Sequence, residues 1–185
     1  MRIIAGSLRR RSIAVPPGQD VRPTTDRTRE AIFNLLTGRV ELDGARVLDL
    51  FAGSGGLGFE AVSRGASSVI FVEQNRHIAA VIRDNAGRFG VEGRIDIRIQ
   101  DAARFVDRYE GSPFDVVLAD PPYAFEAIPE LPGRVLPLVA EGGLLILEHG
   151  GHHDFSGHSH LVLQRTYGRT RVSLFTPRHP EPETQ

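Results

Sequence analysis

The chain has 185 residues, 41% of them hydrophobic, enough for one domain with a real core and a small appendage. It contains no cysteine, which excludes disulfide frameworks and thiolate metal sites and points to a reducing compartment. The net charge of −1 hides an asymmetry: residues 1–30 carry seven arginines against three acids, +4, leaving −5 for the remainder, and every basic residue is arginine, the planar fork that suits phosphate.

Residues 2–5 and 12–15 are short extended runs on either side of Gly6 and the basic Arg9-Arg10-Arg11, read as a small β-hairpin or arm. Pro16-Pro17-Gly18 closes it. Arg22-Pro23-Thr24-Thr25 leads to Asp26, an N-cap for a helix over 27–36 with Ile32, Leu35 and Leu36 as its apolar stripe and Gly38 as its stop. From there strands and helices alternate: strand 47–51, tight turn 53–58, helix 57–64, strand 68–73, helix 78–89 stopped by Gly90, strand 95–100, helix 102–108 and strand 115–119. A helical stretch broken by Pro129, Pro132 and Pro137 covers 125–139, and a strand covers 143–148. A Gly/His loop follows over 150–160, then a hairpin of strands 160–167 and 171–176 turning at Gly168, and a frayed tail.

This pattern predicts an α/β, doubly wound, Rossmann-like fold: a seven-stranded, mostly parallel sheet with an antiparallel C-terminal hairpin. The expected organisation is a basic arm over 1–25, one domain over 26–176 and a tail over 177–185, with no internal repeat. No apolar run reaches transmembrane length and no signal peptide opens the chain, so a cytoplasmic protein off the membrane is expected.

Two stretches carry chemistry. Gly53-Ser54-Gly55-Gly56-Leu57-Gly58 is a GxGxxG turn between a strand and a helix, where glycines let a ligand approach the helix's free N–H groups. Glu73 closes the next strand 20 residues after Gly53, placed for ribose hydroxyls. Asp49 on the glycine strand suits an ammonium and Asp101 suits adenine N6, which favours a methionine-adenosine ligand over a pyrophosphate. The other stretch is Asp120-Pro121-Pro122-Tyr123, after the apolar run Val116-Val117-Leu118. Two prolines remove two backbone donors and stiffen the loop, so a carboxylate, outward carbonyls and a ring present a receptor for a flat molecule with an amino group.

Asp49-Leu50-Phe51-Ala52-Gly53-Ser54-Gly55, Glu73, Asp101 and the Asp-Pro-Pro-Tyr loop resemble the class I S-adenosylmethionine-dependent methyltransferases, in the form typical of enzymes that methylate exocyclic amino groups of bases. The opening Met1-Arg2-Ile3-Ile4-Ala5-Gly6, with Arg22-Pro23-Thr24, Asp26-Arg27, Arg29-Glu30-Ala31, Phe33-Asn34 and a later Tyr167-Gly168, resembles the RsmD family of 16S ribosomal RNA guanine-N2 methyltransferases. Ser7-Leu8-Arg9-Arg10-Arg11 departs from that family's Gly-Arg/Lys pattern, and the His149–His160 loop has no counterpart in it.

The resemblance implies S-adenosylmethionine as cofactor, S-adenosylhomocysteine as product, and cofactor contacts from Asp49, Phe51, Ala52, Gly53, Ser54, Gly55, Glu73, Gln74, Asp101, Ala102 and Asp120. It implies catalysis by Asp120, Pro121, Pro122 and Tyr123: acceptors on Asp120 and Pro121 hold the amino group, and Tyr123 stacks on a flipped-out base. The partner it implies is 16S ribosomal RNA, in a 30S or pre-30S particle, bound by a monomer. Arg9, Arg10, Arg11, Arg22, Arg27 and Arg29 are the candidate RNA contacts.

Three other readings share parts of this pattern. A DNA adenine-N6 or cytosine-N4 methyltransferase shares the four-residue loop, but no target-recognition domain is legible. A nicotinamide oxidoreductase shares the glycines and Glu73, but leaves Asp101 and the Asp120–Tyr123 loop unexplained. A catalytically silent RNA-binding module would have no use for an intact cofactor set. His152, His153, His158 and His160 near Asp154 are irregularly spaced in a Gly-rich loop, and a solvated loop rather than a metal site is expected.

Overall fold

The computed structural model describes residues 1–15, 26–122 and 124–177. The described residues form seven strands, the two at the sheet edges (β3 and β6) only partly buried: β1 (Arg46–Asp49), β2 (Ser68–Val72), β3 (Ile95–Arg98), β4 (Phe114–Ala119), β5 (Val139–Gly150), β6 (Leu161–Tyr167) and β7 (Thr170–Phe175). They make one sheet in the order β3-β2-β1-β4-β5-β7-β6, parallel from β3 to β5 and antiparallel at β7 and β6. The chain winds outward one way from β1 and the other way from β4. The crevice between their carboxyl ends is therefore the topological switch point, where open α/β sheets hold ligands.

Side chains alternate across the sheet and bury two cores. One face, with Val47, Phe71, Leu118, Ile146 and Val172, packs against α1 (Asp26–Leu36), α2 (Gly56–Ser63) and α3 (Arg76–Phe89). The other, with Leu48, Val72, Val117, Ala119 and Leu147, packs against α4 (Ala102–Arg108) and α5 (Leu131–Val135).

The expected sheet is present, and the differences lie at element ends. The stretch over 125–139 is mostly turn, with α5 reduced to five residues and a 3-10 turn at Leu136–Leu138, because its prolines leave few donors for a ladder. Strand β5 runs to twelve residues, beyond the expected 143–148; Val139 pairs with Phe114 across an irregularity and the far end pairs with β7. Helix α3 starts earlier than expected because Asn75 caps it, its side chain accepting from the His77 and Ile78 N–H groups.

The arm is only marginally a hairpin: a single antiparallel bridge joins Arg2 and Ser12. It is held by the body of the protein. Ile3, Leu8 and Ile13 enter the first core. Gly6 lies so close to α2 that a Cβ there would sit 1.8 Å from the Ser63 carbonyl oxygen, and its φ of +80° favours glycine. The Ile4 and Ala5 N–H groups donate to the two carboxylate oxygens of Glu60 on α2 at 2.8 and 3.0 Å, and Arg64 donates to the same group at 2.8 Å. Arg29 of α1, fully buried, stands 3.9 Å from Glu60 and donates to the Arg2 carbonyl and to Asp26.

Removing one partner of a buried ion pair costs about 3–5 kcal/mol. Glu60→Ala is expected to lower stability by that order, with a fall in Tm of about 2–4 °C per kcal/mol for a chain of this size, read by scanning calorimetry.

Candidate active site

A cleft of ≈ 790 Å³ opens at the switch point, within the range of small-molecule sites. Its floor is the turn after β1. Gly55, in the left-handed conformation, is the N-cap of α2, so the first N–H groups of that helix face the cleft. Gly58 lets α2 sit against β2, since a Cβ there would be 2.2 Å from the Phe71 ring. Glu73 fixes the turn: its Oε2 accepts from Gly53 N–H at 3.0 Å and its Oε1 from Asn75 N–H at 2.8 Å.

Three carboxylates converge here. Asp49 is 1% exposed and accepts from Gly58 N–H at 2.8 Å. Burial pushes its carboxyl up to about 7, against the pull of the Gly58 hydrogen bond, and repulsion from Asp120 and Glu73 adds to the rise. Asp120 is partly exposed at the end of β4. Farther along, Asp101 caps α4 by accepting from Arg104 N–H at 2.9 Å with one oxygen. The cleft is also lined by Gln74, Ile78, Gln100 and Ala102 on this side, and by Phe51 and Phe125, whose rings meet edge to face at 5.2 Å. A buried acid whose ionisation is opposed by burial and by other acids is a site short of a cation, and S-adenosylmethionine brings two, a sulfonium and an ammonium. The residues fit that group.

Of the expected cofactor contacts, Asp49, Phe51, Ala52, Gly53, Ser54, Glu73, Gln74, Asp101, Ala102 and Asp120 all line this one cleft, with Pro121 and Pro122. Gly55 does not: it is buried behind the wall against the Phe59 ring, and Gly56 faces the cleft in its place. Pro121 is buried, and the Pro122 carbonyl accepts from Phe125 N–H at 2.8 Å, closing a turn that holds the loop. Tyr123 lies outside the described residues.

A family model described as "Conserved hypothetical protein 95" matches residues 1–176. The chain belongs to that family. Its members are S-adenosylmethionine-dependent methyltransferases, and S-adenosylmethionine is the cofactor of this fold. The Bacillus subtilis protein YlbH, provisionally named an rRNA methyltransferase, is 33% identical over 187 aligned positions that cover 96% of this chain and 100% of YlbH. The Ribosomal RNA small subunit methyltransferase D of Escherichia coli is 39% identical over 123 positions, 66% of this chain and 60% of that enzyme. The structure of Escherichia coli yhhF, provisionally named a methyltransferase, matches at a TM-score of 0.80 and 29% identity over 95% of this chain and 96% of that one.

The arginines separate into different roles. Arg9 and Arg10 are exposed, Arg10 in the left-handed conformation with φ 68°. Arg11 is also exposed, but it donates to the Phe89 carbonyl at 3.1 Å and lies 5.4 Å over the Phe89 ring, which ties the arm to α3. Arg27 is exposed at the cleft mouth. Arg29 corrects the sequence reading: its side chain is fully buried and braces the arm, so no phosphate reaches it. Arg22 lies outside the described residues.

Sequence reasoning missed one wall of the cleft, made by Glu148 and His149 at the end of β5 and by Thr166 to Thr170 around the β6–β7 turn. The signal for Glu148 was present: like Asp120, it is an acid directly after an apolar strand. In the histidine-rich segment, burial holds the His149 imidazole below its usual range, and its Nε2 shares a hydrogen bond with Ser173 Oγ at 2.8 Å. Ser173 in turn donates to Gln164, and Gln164 to Asp154, so this segment is stitched to the hairpin. Among the described residues no group of three or more His, Asp or Glu is placed to hold a metal.

An aspartate titrates near 3.8 when unfolded, so between there and about 7 the folded protein keeps a proton on Asp49 that the unfolded chain has released. This group therefore costs the fold nothing at low pH and progressively more as pH rises, up to about 4 kcal/mol at pH 8. Asp49→Asn keeps an acceptor for Gly58 and removes that cost. Its Tm should exceed wild type at pH 8, with the gap closing toward pH 4, while calorimetric titration shows cofactor affinity at least tenfold weaker.

Proposed function

We propose that the protein methylates the exocyclic N2 of a guanine in 16S ribosomal RNA, with a 30S or pre-30S particle in the cytoplasm as substrate. The observation that carries this reading is that Asp120-Pro121-Pro122 ends β4 inside the same cleft as the glycine turn and Glu73, so an acceptor-rich loop meets the cofactor site. The small-subunit rRNA methyltransferase named above supports the choice of RNA.

When bound, S-adenosylmethionine supplies a methyl group on a sulfonium. The protein's part is to position a weak nucleophile, since the lone pair of a guanine amino group is delocalised into the ring. The Asp120 carboxylate and the Pro121 carbonyl accept the two amino N–H groups and turn the lone pair toward the methyl. The carboxylate also offsets the positive charge that develops on nitrogen. Asp49 and Glu73 hold the cofactor's ammonium and ribose, and α2 directs its N–H groups at the carboxylate. Tyr123 is the stacking partner for the flipped base.

The deciding experiment is mass spectrometry of nucleosides from 16S RNA treated with the protein and labelled cofactor: N2-methylguanosine is expected, and its absence overturns the reading. Asp120→Ala should cut single-turnover methyl transfer about 10²-fold or more, the scale set by loss of one preorganised electrostatic group, with cofactor affinity changed only a few-fold.

The arm is proposed to hold RNA backbone through Arg9 and Arg10. Replacing both by serine should reduce the slope of log affinity against log salt by about 0.7–0.9 for each phosphate released from an arginine, at unchanged cofactor affinity. Arg11→Ser should lower Tm as well, because it also releases Phe89.

A further inference from the structure

The register between β4 and β5 ends with Ala119 opposite Leu147, so Asp120, the first residue after β4, and Glu148, the next residue of β5, leave the sheet side by side. Alternation sets the direction of Glu148. Ile146 points into the core under α2 and Leu147 into the opposite one, so Glu148 returns to the α2 side, where Asp49 lies; Asp120 is close enough to Asp49 to repel it. The antiparallel pairing of Glu148 with Val172, a residue of that same core, agrees. Both acids line the cleft, and Glu148 is 9% exposed. A second carboxylate therefore lines the same cleft, from the strand next to the one that ends in the group proposed to receive the amino nitrogen.

We propose that Glu148 selects guanine by accepting the N1–H that neighbours the amino group held at Asp120. This rests on the reading that a base amino group is the methyl acceptor. The argument is one of donor and acceptor patterns along the base edge. In guanine the amino carbon lies between two ring nitrogens, N3 with a lone pair and N1 with a hydrogen, and N1 donates. In adenine and cytosine, whose amino groups would fit the Asp120 loop equally well, the ring nitrogen beside the amino group is a lone-pair acceptor. A carboxylate facing it is unpaired and repelled, and sites built to bond a substrate N–H reject analogues lacking it far more strongly than apolar pockets reject a missing methylene. The Asp-Pro-Pro loop alone recognises an amino group and leaves the base undecided; Glu148 supplies the decision. It contacts the substrate and takes no part in the transfer itself.

The first test leaves the protein unchanged. Once the modified guanosine is located, RNA is prepared with 2-aminopurine at that position, which keeps the 2-amino group, replaces N1–H by a lone pair and also lacks the 6-oxo group, so the Glu148 variants below serve to assign the effect to N1. Wild-type kcat/KM should fall about 10²-fold or more on this RNA, and a drop of less than tenfold overturns the proposal. The second test uses Glu148→Gln, whose amide both accepts and donates. It should lose activity on guanine about tenfold and gain activity on 2-aminopurine relative to wild type, whereas Glu148→Ala should lose the first without gaining the second. Cofactor titration of each variant, expected within a few-fold of wild type, separates a base-reading defect from a folding one. Unchanged selectivity in a Glu148→Gln protein that still binds cofactor rejects the assignment. If the wild-type protein marks adenine or cytosine amino groups, this proposal fails and base methylation stands. If the label appears on no base at all, the underlying reading fails with it.

Discussion

The carboxylate of Glu60 is the constraint on which the rest depends. It is fully buried, and it accepts from Ile4, Ala5 and Arg64 while facing Arg29. A charge in that position is tolerated only because so many donors surround it. The outcome is that the first residues of the chain, α1 and α2 are fastened at one point. Helix α2 is also the helix whose first turn forms the floor of the cleft. The basic arm and the cofactor site are thus two ends of one eight-residue helix, and neither is set without the other.

The cleft shows the opposite economy. Asp120 and Glu73 both repel Asp49, and burial makes Asp49 hard to ionise. None of this stabilises the protein by itself. The arrangement makes sense as a cavity built for a doubly cationic ligand, which relieves the repulsion on arrival. Position in the sheet makes it possible: the ends of β1, β2 and β4 are neighbours because the winding direction reverses there, so acids far apart in sequence meet without any special loop.

How much of this was legible follows from how local each signal is. The glycine turn, Glu73 and the Asp-Pro-Pro loop announce themselves because backbone chemistry fixes their spacing, and the alternation of strands and helices implies the sheet. What escaped depended on partners distant in sequence. Arg29 looks like another basic residue near the arm; only Glu60, 31 positions on, makes it a buried brace. Arg11 looks like its neighbours until Phe89 is known to lie beneath it. Glu148 becomes meaningful only when β5 is known to lie beside β4 in the register that sets it against Asp120. The helical stretch before β5 is shorter than its pattern suggests because three prolines there prevent a helix rather than break one.

The order of the last two strands has a consequence for how the molecule comes into being. Strand β7 lies between β5 and β6, so β6 is synthesised before β7, its partner in the sheet, exists. While the chain emerges, the exposed edge of β5 waits for residues 170–175, and the segment that will become β6 has nothing to hold it. The turn joining β6 to β7 is also a wall of the cleft. The pocket is therefore among the last parts to take shape, and a nascent chain has its cofactor turn in place well before it has a complete chamber. Until β7 pairs with it, β5 leaves a sheet edge open to other chains. The period of risk for this sheet falls while residues 161–175 emerge.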